Sequence, residues 1–467
     1  MIDEVEREER ATAICLGVFF LAAAVVLLLV DGTTLIAHGA DAASWYRPAH
    51  GLVQHGGFVD PDAPSEALAQ RPPLYPLLVA GTMLVTGTAG YAKLLAGIQL
   101  AVLAVTAALT ARLAGRMAPG LGALALALLL FNPNSFGAAF FVQSETVFAL
   151  FVTFLLVALW RYAELPSLRD AAFAGLATAL IALTRPEGLF LMLVAPLALP
   201  IAARLAGWRQ GATQVGATAL LCLAISLAVT APWMARNAAL GEGWRLTSAA
   251  NTNYYVWGSA AQLEMVASNV DNRTAERRMQ QAREEALAAL PEAEAAGMSE
   301  AERARYLTWQ GLDRILSYPT SVIARTMTEA TAQFFAAGGT GRLFILLGEP
   351  EGTPFAIMVR DDKVSYLDSV LTALEEANIP LLVVWVLSMA YVLSLRMLGL
   401  VGLWTLFTTR QFQIVFLLIA AIAFFALVMP FYGISRFRIA VEPMLVLLAI
   451  AGIDRWRRSR RAENPSA

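Results

Sequence analysis

The chain has 467 residues, of which 58% are hydrophobic and only 15% are charged. A soluble domain carries about 25% charged residues, so this composition predicts an integral membrane protein. The formal net charge of −2 excludes basic nucleic-acid-binding proteins, which must neutralise many phosphates. Cys15 and Cys222 both lie in apolar runs, so neither a disulfide framework nor a cysteine metal site is supported.

The first predicted element is a transmembrane helix at residues 11–30, which carry no charge. A run of about 20 apolar residues can cross the hydrocarbon core. The acidic start MIDEVEREER is unlike the basic region of a signal peptide, so we expect this helix to be retained. Further spans are predicted at residues 94–111, 118–135, 146–160, 171–184, 188–203, 212–232, 379–395, 411–430 and 439–453. The total is about ten spans, and at most about thirteen.

Arginines in the short connections predict the orientation, because cytoplasmic loops are rich in Lys and Arg. An N-terminus on the inside puts the basic tail DRWRRSRR there, together with Arg112, Arg116, Arg161, Arg169, Arg204, Arg209, Arg396 and Arg410. Residues 31–93, 236–378 and 431–438 then lie outside. A full span at 72–92 would reverse this pattern, so we expect that uncharged segment to form a helix in the outer interface.

The predicted organisation has three parts. Residues 1–235 form an N-terminal transmembrane catalytic module, which contains the first outer loop at 31–93. Residues 236–378 form an extracytoplasmic, mostly helical segment, in which Ser299 and Glu302 have the spacing of a capping box. Residues 379–467 form C-terminal transmembrane helices with a basic cytoplasmic tail. The expected fold class is therefore an all-α polytopic membrane protein with helical outer loops.

Polar residues gather in the first outer loop, and such clustering on one face of a membrane protein indicates a site. Asp41 follows the first span, and Arg71 stands just before an apolar helix. Tyr46 and Tyr75 can place hydroxyl groups at the interface. Glu145 stands at the head of a later predicted span. These residue types can move a proton, bind an anion and bind a hydroxyl-rich ligand.

The order of these pieces resembles the GT-C glycosyltransferases, in particular the bacterial relatives of protein O-mannosyltransferases and of the lipid A aminoarabinose transferase. Those enzymes open with one span, an acidic residue, an aromatic residue, a glycine and a K/R-P-P-x-x-Y-like stretch. Here Asp41, Tyr46, Gly56 and RPPLYP stand in that order. Glu145 in SETVFALF resembles the family's second acidic position. The segments LTRPEG, APWMARN, ILSYPTSVIARTM and SRFRIAVEP resemble later family motifs.

The resemblance implies a GT-C type helical bundle and an enzyme of the bacterial inner membrane. Such an enzyme transfers a sugar from a polyprenyl-phosphate donor, with inversion, to a glycolipid, polysaccharide or protein acceptor on the extracytoplasmic side. By resemblance, Asp41 is the candidate catalytic base. Glu145 is the candidate second acid, which orients the acceptor or binds a cation. Tyr46 and Tyr75 are candidates for binding the sugar or the acceptor.

Three arginines are candidates for binding the donor phosphate, because a guanidinium group fits phosphate oxygens. They are Arg71, which matches the basic residue of the K/R-P-P motif, Arg236 and Arg436. Two departures from the family bear on a divalent metal. The family often has Asp-Glu where this chain has Asp41-Ala42, and the aminoarabinose transferases have Glu where this chain has Gln70. The sequence therefore leaves a metal cofactor open.

Each candidate also has an ordinary structural explanation. Asp41 could cap an interfacial helix, Glu145 could interact with a helix dipole, and the arginines could snorkel to the outer leaflet. Tyr254 and Tyr255 could stack on a sugar or belong to an aromatic belt. The alternative function is a transporter or flippase of a lipid-linked saccharide. It would be marked by mid-membrane charges and an internal repeat, and the sequence has neither.

Overall fold

The computed structural model describes residues 2–36, 39–291, 296–348 and 379–463, and within these ranges the chain is helical. The helices are α1 (Ile2–Leu29), α2 (Gly32–Ile36), α3 (Gly39–His55), α4 (Leu74–Met117), α5 (Gly122–Leu130), α6 (Pro133–Ala138), α7 (Glu145–Glu164), α8 (Leu168–Thr184), α9 (Gly188–Leu205), α10 (Ala212–Ala239), α11 (Ala249–Ser268), α12 (Asn272–Ala288), α13 (Glu300–Ser317), α14 (Thr320–Ala336), α15 (Gly341–Leu346), α16 (Ile379–Thr408), α17 (Phe412–Leu427), a 3-10 helix (Ser435–Val441) and α18 (Glu442–Glu463). The expected all-α polytopic class is confirmed.

Six of the described helices are long and apolar enough to cross a membrane: α1 from Glu6 onward, α4, α7, α9, α10 and α16. Helix α17 is a shorter apolar helix. The span predicted at 118–135 is wrong as a single helix. Asn132 interrupts it, because its side chain accepts hydrogen bonds from the backbone N–H groups of Asn134 and Ser135 and so begins α6. The total of about ten spans stays a prediction.

Helix α4 joins two segments that the sequence predicts separately. At Gly87 the backbone has φ 75° and ψ 172°, which residues with a Cβ rarely adopt, so the helix bends there. A straight helix of 44 residues would be about 66 Å long, roughly twice the hydrocarbon thickness. The kink therefore divides α4 into a short first piece and a second piece of membrane-crossing length. The interfacial position of residues 72–92 stays a prediction.

The two ends of the bundle are identified by contacts between loops. At one end, Glu8 accepts a hydrogen bond from the Gly122 N–H at 2.8 Å, and Arg116 pairs with Glu164 at 2.9 Å. Glu164 ends α7 and Glu145 begins it, about 30 Å away along 20 residues. Glu145 therefore belongs to the opposite end. Several loops predicted to be cytoplasmic therefore meet at one end of the bundle, and Glu145 lies at the other end.

Arg396 departs from the predicted loop pattern, because it lies inside α16. Its Nη2 is 3.5 Å from the Glu442 carboxylate, and its Nε donates to the Phe335 carbonyl at 3.4 Å. Glu442 also pairs with Arg438 at 2.6 Å. The prediction of a cytoplasmic loop at Arg396 is wrong. The apolar residues 397–408 extend the helix, and the buried carboxylate compensates the charge.

Helices α11 to α14 pack beside the candidate site. Trp257 of α11 is buried in a small apolar cluster with Ala275 and Met279 of α12. Ser299 and Glu302 form the predicted capping box at the start of α13. The extracytoplasmic position of residues 236–378 stays a prediction. Its parts at 292–295 and 349–378, like the tail at 464–467, lie outside the described residues.

Candidate functional site

Asp41 is the centre of the site and lies in the first turn of α3. Arg71 donates to its Oδ1, and Arg436 donates to its Oδ2. Burial raises the pKa of Asp41, but the positive charges of Arg436 and Arg71 more than offset this and lower the pKa from 3.8 to about 2. Asp41 is therefore a carboxylate at neutral pH. Asp41 and Arg71, two candidates from the same predicted loop, thus lie together.

Arg71 is held in place by contacts with residues of α3 and α11. Its Nε donates to the Ser44 hydroxyl at 2.8 Å, and its Nη1 donates to the Tyr255 hydroxyl at 3.0 Å. The guanidinium lies 4.7 Å from the centre of the Trp45 ring, within the range of a cation–π interaction. Pro73 follows closely and begins α4, so the local backbone direction is restricted as well. Arg71 is thus held in one orientation toward Asp41.

Arg436 connects the two candidate acids. The 3-10 helix carries Arg436 to the N-terminus of α7, where its Nε lies 3.2 Å from Glu145 Oε1 while its Nη2 pairs with Asp41. Glu145 is buried, and its Oε2 has no hydrogen-bond partner. A buried carboxylate oxygen without a donor is costly, so this atom is available for a ligand. The structure therefore brings Asp41, Glu145, Arg71 and Arg436 together.

Arg185, in the segment LTRPEG, joins the same cluster. It pairs with Glu187 at 3.0 Å, and it also lies 3.0 Å from Glu145 Oε1. Arg185 and Glu187 are buried at the junction between α8 and α9. The proline in LTRPEG indicates a helix boundary in the sequence. The contact of this segment with α7 depends on how the bundle packs, so the sequence does not reveal it.

Arg342 is a member of the site that sequence reasoning missed. It lies in α15, is buried, and donates to the Gln143 side-chain oxygen, whereas its Nε has no hydrogen-bond partner. Among the described residues no carboxylate forms an ion pair with it. Burial lowers its pKa to about 10, and the positive charges of Arg436 and Arg185 add to the decrease. No motif surrounds Arg342, so the sequence carries no signal for it.

Three predicted site residues are not in this cluster. Arg236 donates to the Phe58 carbonyl at 3.0 Å, and its guanidinium lies 4.5 Å from the centre of the Trp233 ring. The Tyr75 side chain is fully buried, and its hydroxyl donates to Gln99. The Tyr46 ring contacts His50 edge to face at 5.9 Å. The roles proposed for these three residues stay predictions.

A cavity of ≈ 1100 Å³ opens above the ion pairs. Asp41, Arg71, Arg342 and Arg436 line one end of it, and polar side chains of α12 line another part of its wall. We call this end the floor of the cavity. Glu145, Arg185 and Glu187 are packed directly behind it. Together these residues carry four guanidinium groups and three carboxylates: Arg71, Arg185, Arg342 and Arg436 with Asp41, Glu145 and Glu187. The balance is one positive charge, which favours an anionic ligand.

The residues of this cluster do not fit a divalent metal. Among the described residues no group of three or more His, Cys, Asp or Glu side chains has the arrangement of a metal site. Both oxygens of Asp41 are bonded to arginines, and Glu145 Oε1 lies near Arg185 and Arg436. A divalent metal ion would be repelled by these guanidinium groups. Positive charge in this cluster therefore comes from the arginines.

The described helices form a polytopic helical membrane protein with a carboxylate and arginine cluster at one end. The chain is similar to the crystal structure of the oligosaccharyltransferase of Archaeoglobus fulgidus in the apo form, with a TM-score of 0.50 and 14% sequence identity. The alignment covers 97% of this chain and 52% of that chain, so the chain spans about half the length of that protein. This likeness supports the fold. No family model and no curated protein matches the sequence.

Proposed function

We propose that this protein is a membrane glycosyltransferase that transfers a sugar from a polyprenyl-phosphate donor to an acceptor hydroxyl. The observation that carries the proposal is the double ion pair of Asp41 with Arg71 and Arg436 on the floor of a large cavity. A carboxylate supplies a base, and guanidinium groups stabilise a phosphate that leaves. The GT-C type fold, shared with an oligosaccharyltransferase, supports the same reaction class.

The proposed reaction is a displacement with inversion at the anomeric carbon. The acceptor oxygen forms a bond to that carbon, and the bond between the carbon and the phosphate oxygen breaks. Its electron pair stays on the phosphate, and the proton of the acceptor hydroxyl passes to the Asp41 carboxylate. Arg71, Arg436 and Arg342 stabilise the growing negative charge of the phosphate, because bidentate guanidinium contacts with phosphate are strong.

The ion pairs of Asp41 suggest how donor binding prepares the base. A carboxylate with a pKa near 2 accepts a proton poorly, because basicity falls with pKa. A phosphate bound between Arg71 and Arg436 takes over part of their hydrogen bonding. The Asp41 carboxylate then loses part of the stabilisation that the two arginines give to its negative charge, so it becomes more basic. Donor binding and base activation are thus one event in this proposal.

The location of the reaction follows from the predicted orientation. We place the site on the extracytoplasmic side of a bacterial inner membrane, with both termini in the cytoplasm. The donor enters laterally from the bilayer, so that its prenyl chain stays in lipid and its phosphate reaches the arginines. Glu145, whose Oε2 has no hydrogen-bond partner, orients the acceptor hydroxyl from the other side of Arg436.

The test is a transfer assay with the purified full-length protein in lipid nanodiscs. Radiolabelled polyprenyl-phosphate hexoses and pentoses are offered as donors together with an extract of membrane glycans and proteins. We expect label to move into a product with release of polyprenyl phosphate. In a parallel assay with the protein in closed lipid vesicles, movement of the intact lipid-linked sugar from one leaflet to the other without cleavage would contradict the proposal and support a flippase.

A further inference from the structure

One wall of the cavity carries polar side chains that the proposed chemistry does not use. Four exposed residues of α12 line it: Glu276, Gln280, Arg283 and Glu284. They are spaced at i, i+4, i+7 and i+8, so they share one face of the helix. Met279, which is buried against α11, and Leu287 also line the cavity. The packing of α12 thus presents a stripe of four polar side chains to the cavity, with two apolar side chains beside it.

Tyr254 provides an apolar surface beside this stripe. It lies on α11, lines the cavity and is 70% exposed. Its ring contacts Tyr255 edge to face at 5.6 Å, and the Tyr255 hydroxyl accepts the hydrogen bond from Arg71. The exposed Tyr254 ring is therefore linked to the ion-pair cluster through Tyr255, which contacts Arg71 directly. An aromatic face next to amides and carboxylates suits the C–H face and the hydroxyl groups of a sugar ring.

The chemistry of this wall favours a glycan over two other occupants. A prenyl chain would contact Met279 and Leu287, but it would also remove water from two carboxylates and a guanidinium, which is costly. An extended peptide is commonly bound by main-chain hydrogen bonds to an open strand edge. Here the wall is a helix whose backbone groups are bonded internally, so only side chains are offered.

We propose that the α12 stripe and Tyr254 form the acceptor subsite, and that the acceptor is a glycan. This inference rests on the proposed transferase function and names its acceptor class. The cavity volume of ≈ 1100 Å³ is at the upper end of small-ligand pockets, so it accommodates more than one sugar ring. The side chains of Gln280 and Glu284 bind hydroxyl groups, and the Tyr254 ring stacks on a sugar face.

The chain provides a matched pair of double variants for the test. Gln280 donates to Glu284 at 3.1 Å on the cavity face, and Gln281 donates to Glu285 at 2.9 Å on the neighbouring face, which does not line the cavity. The variants Gln280→Ala/Glu284→Ala and Gln281→Ala/Glu285→Ala remove the same groups from the same helix. Only the first pair removes groups from the proposed subsite.

Two quantities are measured for each full-length variant in nanodiscs. They are transfer of labelled sugar from a polyprenyl-phosphate donor to extracted membrane glycans, and binding of farnesyl phosphate as a donor probe. We expect the cavity-face variant to lower glycan transfer about tenfold or more, with farnesyl phosphate binding unchanged. The control variant changes neither quantity. Tyr254→Ala lowers transfer, and Tyr254→Phe, which keeps the ring, restores most of it.

Three results would overturn the acceptor assignment. They are equal transfer by the two double variants, a labelled product that proteinase K degrades, and equal transfer by Tyr254→Ala and Tyr254→Phe. Failure of the proposed function looks different, because the unmodified protein would then release no polyprenyl phosphate from any donor. The two failures are therefore distinguishable in one set of assays.

Discussion

Arg436 and Asp41 stand 395 positions apart in the chain and form an ion pair. The same guanidinium lies 3.2 Å from Glu145, so one arginine bridges the acid of α3 and the acid at the head of α7. Each of the three residues comes from a different part of the sequence. The site exists only when the N-terminal and C-terminal parts of the bundle are packed together.

The first prediction concerns Asp41 as the base. We expect Asp41→Asn to lower sugar transfer by about 10²- to 10⁴-fold, because the amide cannot take the hydroxyl proton. Binding of farnesyl phosphate is retained, since Arg71 and Arg436 are relieved of a competing anion. Asp60→Asn is the control, because Asp60 pairs with Arg47 in the same loop and does not line the cavity. Full turnover by Asp41→Asn would remove the catalytic role.

The second prediction concerns the geometry of the phosphate contacts. Arg71→Lys keeps the charge but loses the fork that holds Ser44, Tyr255 and Asp41 at once. We expect the KM for the donor to rise about 10- to 100-fold, with a smaller effect on kcat. Arg47→Lys on α3 makes the same change outside the cavity and should leave KM unchanged. Similar kinetics for both variants would count against a phosphate role for Arg71.

The third prediction concerns pH. The pKa of Asp41 is lowered from 3.8 to about 2, so its ion pairs stabilise the fold fully above pH 4 and lose this contribution as the pH falls through 2. For the free enzyme, Asp41 therefore adds no acid limb to kcat/KM between pH 5 and 8, a range well above both pKa values. In the donor complex the arginines are shared with phosphate, and the pKa of Asp41 rises.

Parallel pH profiles of kcat and kcat/KM check this prediction. The acid limb of kcat should lie at higher pH than that of kcat/KM, because kcat reports the donor complex. Coincident limbs would show that donor binding leaves Asp41 with the same partners.

The fourth prediction concerns metal ions. Arginines already occupy both oxygens of Asp41 and contact one oxygen of Glu145, so transfer should stay within about twofold after treatment with EDTA. Glu145→Gln should lower transfer without creating a requirement for Mg²⁺ or Mn²⁺. Loss of activity with EDTA and its recovery on adding one of these ions would overturn the assignment of charge stabilisation to arginines.

The fifth prediction concerns the packing of the C-terminal helices. A Cβ at Gly402 would overlap the carbonyl oxygen of Leu448, whereas a Cβ at Gly399 would be 3.6 Å from the nearest Leu448 atom. We expect Gly402→Ala to cost about 1–3 kcal/mol of unfolding free energy, because the two helices must move apart. Gly399→Ala on the same helix is the control. Thermal unfolding in detergent should give a lower Tm for Gly402→Ala alone.

Much of the site could be predicted because its first pieces are close in sequence. Asp41 and Arg71 are separated by 30 positions in the segment between α2 and α4, and the RPPLYP stretch restricts the backbone beside Arg71. Glu145 precedes an apolar run that had to be a helix, so its place at a helix N-terminus followed directly. Composition and apolar run length alone indicated the membrane and the all-α class.

Other parts depended on contacts that no local pattern contains. Arg342 enters the site because α15 packs beside Gln143, and Arg236 leaves it because α10 turns its guanidinium toward Trp233. Tyr75 follows Arg71 by only four positions, yet its side chain points into the core and bonds Gln99. These differences come from helix rotation and packing, which the sequence of one segment does not reveal.

The sequence by itself determined that this is a helical membrane protein, and it determined which chemical groups stand between α1 and α4. Hydrophobicity, helix length and short-range backbone restriction are local properties. Only the tertiary structure decided which charges meet. It gave Asp41 its second arginine from the far end of the chain, and it gave Arg396 a buried carboxylate instead of a loop. Ion pairing between distant segments is a consequence of how all the helices pack, since a buried charge is tolerated only where another element supplies its partner.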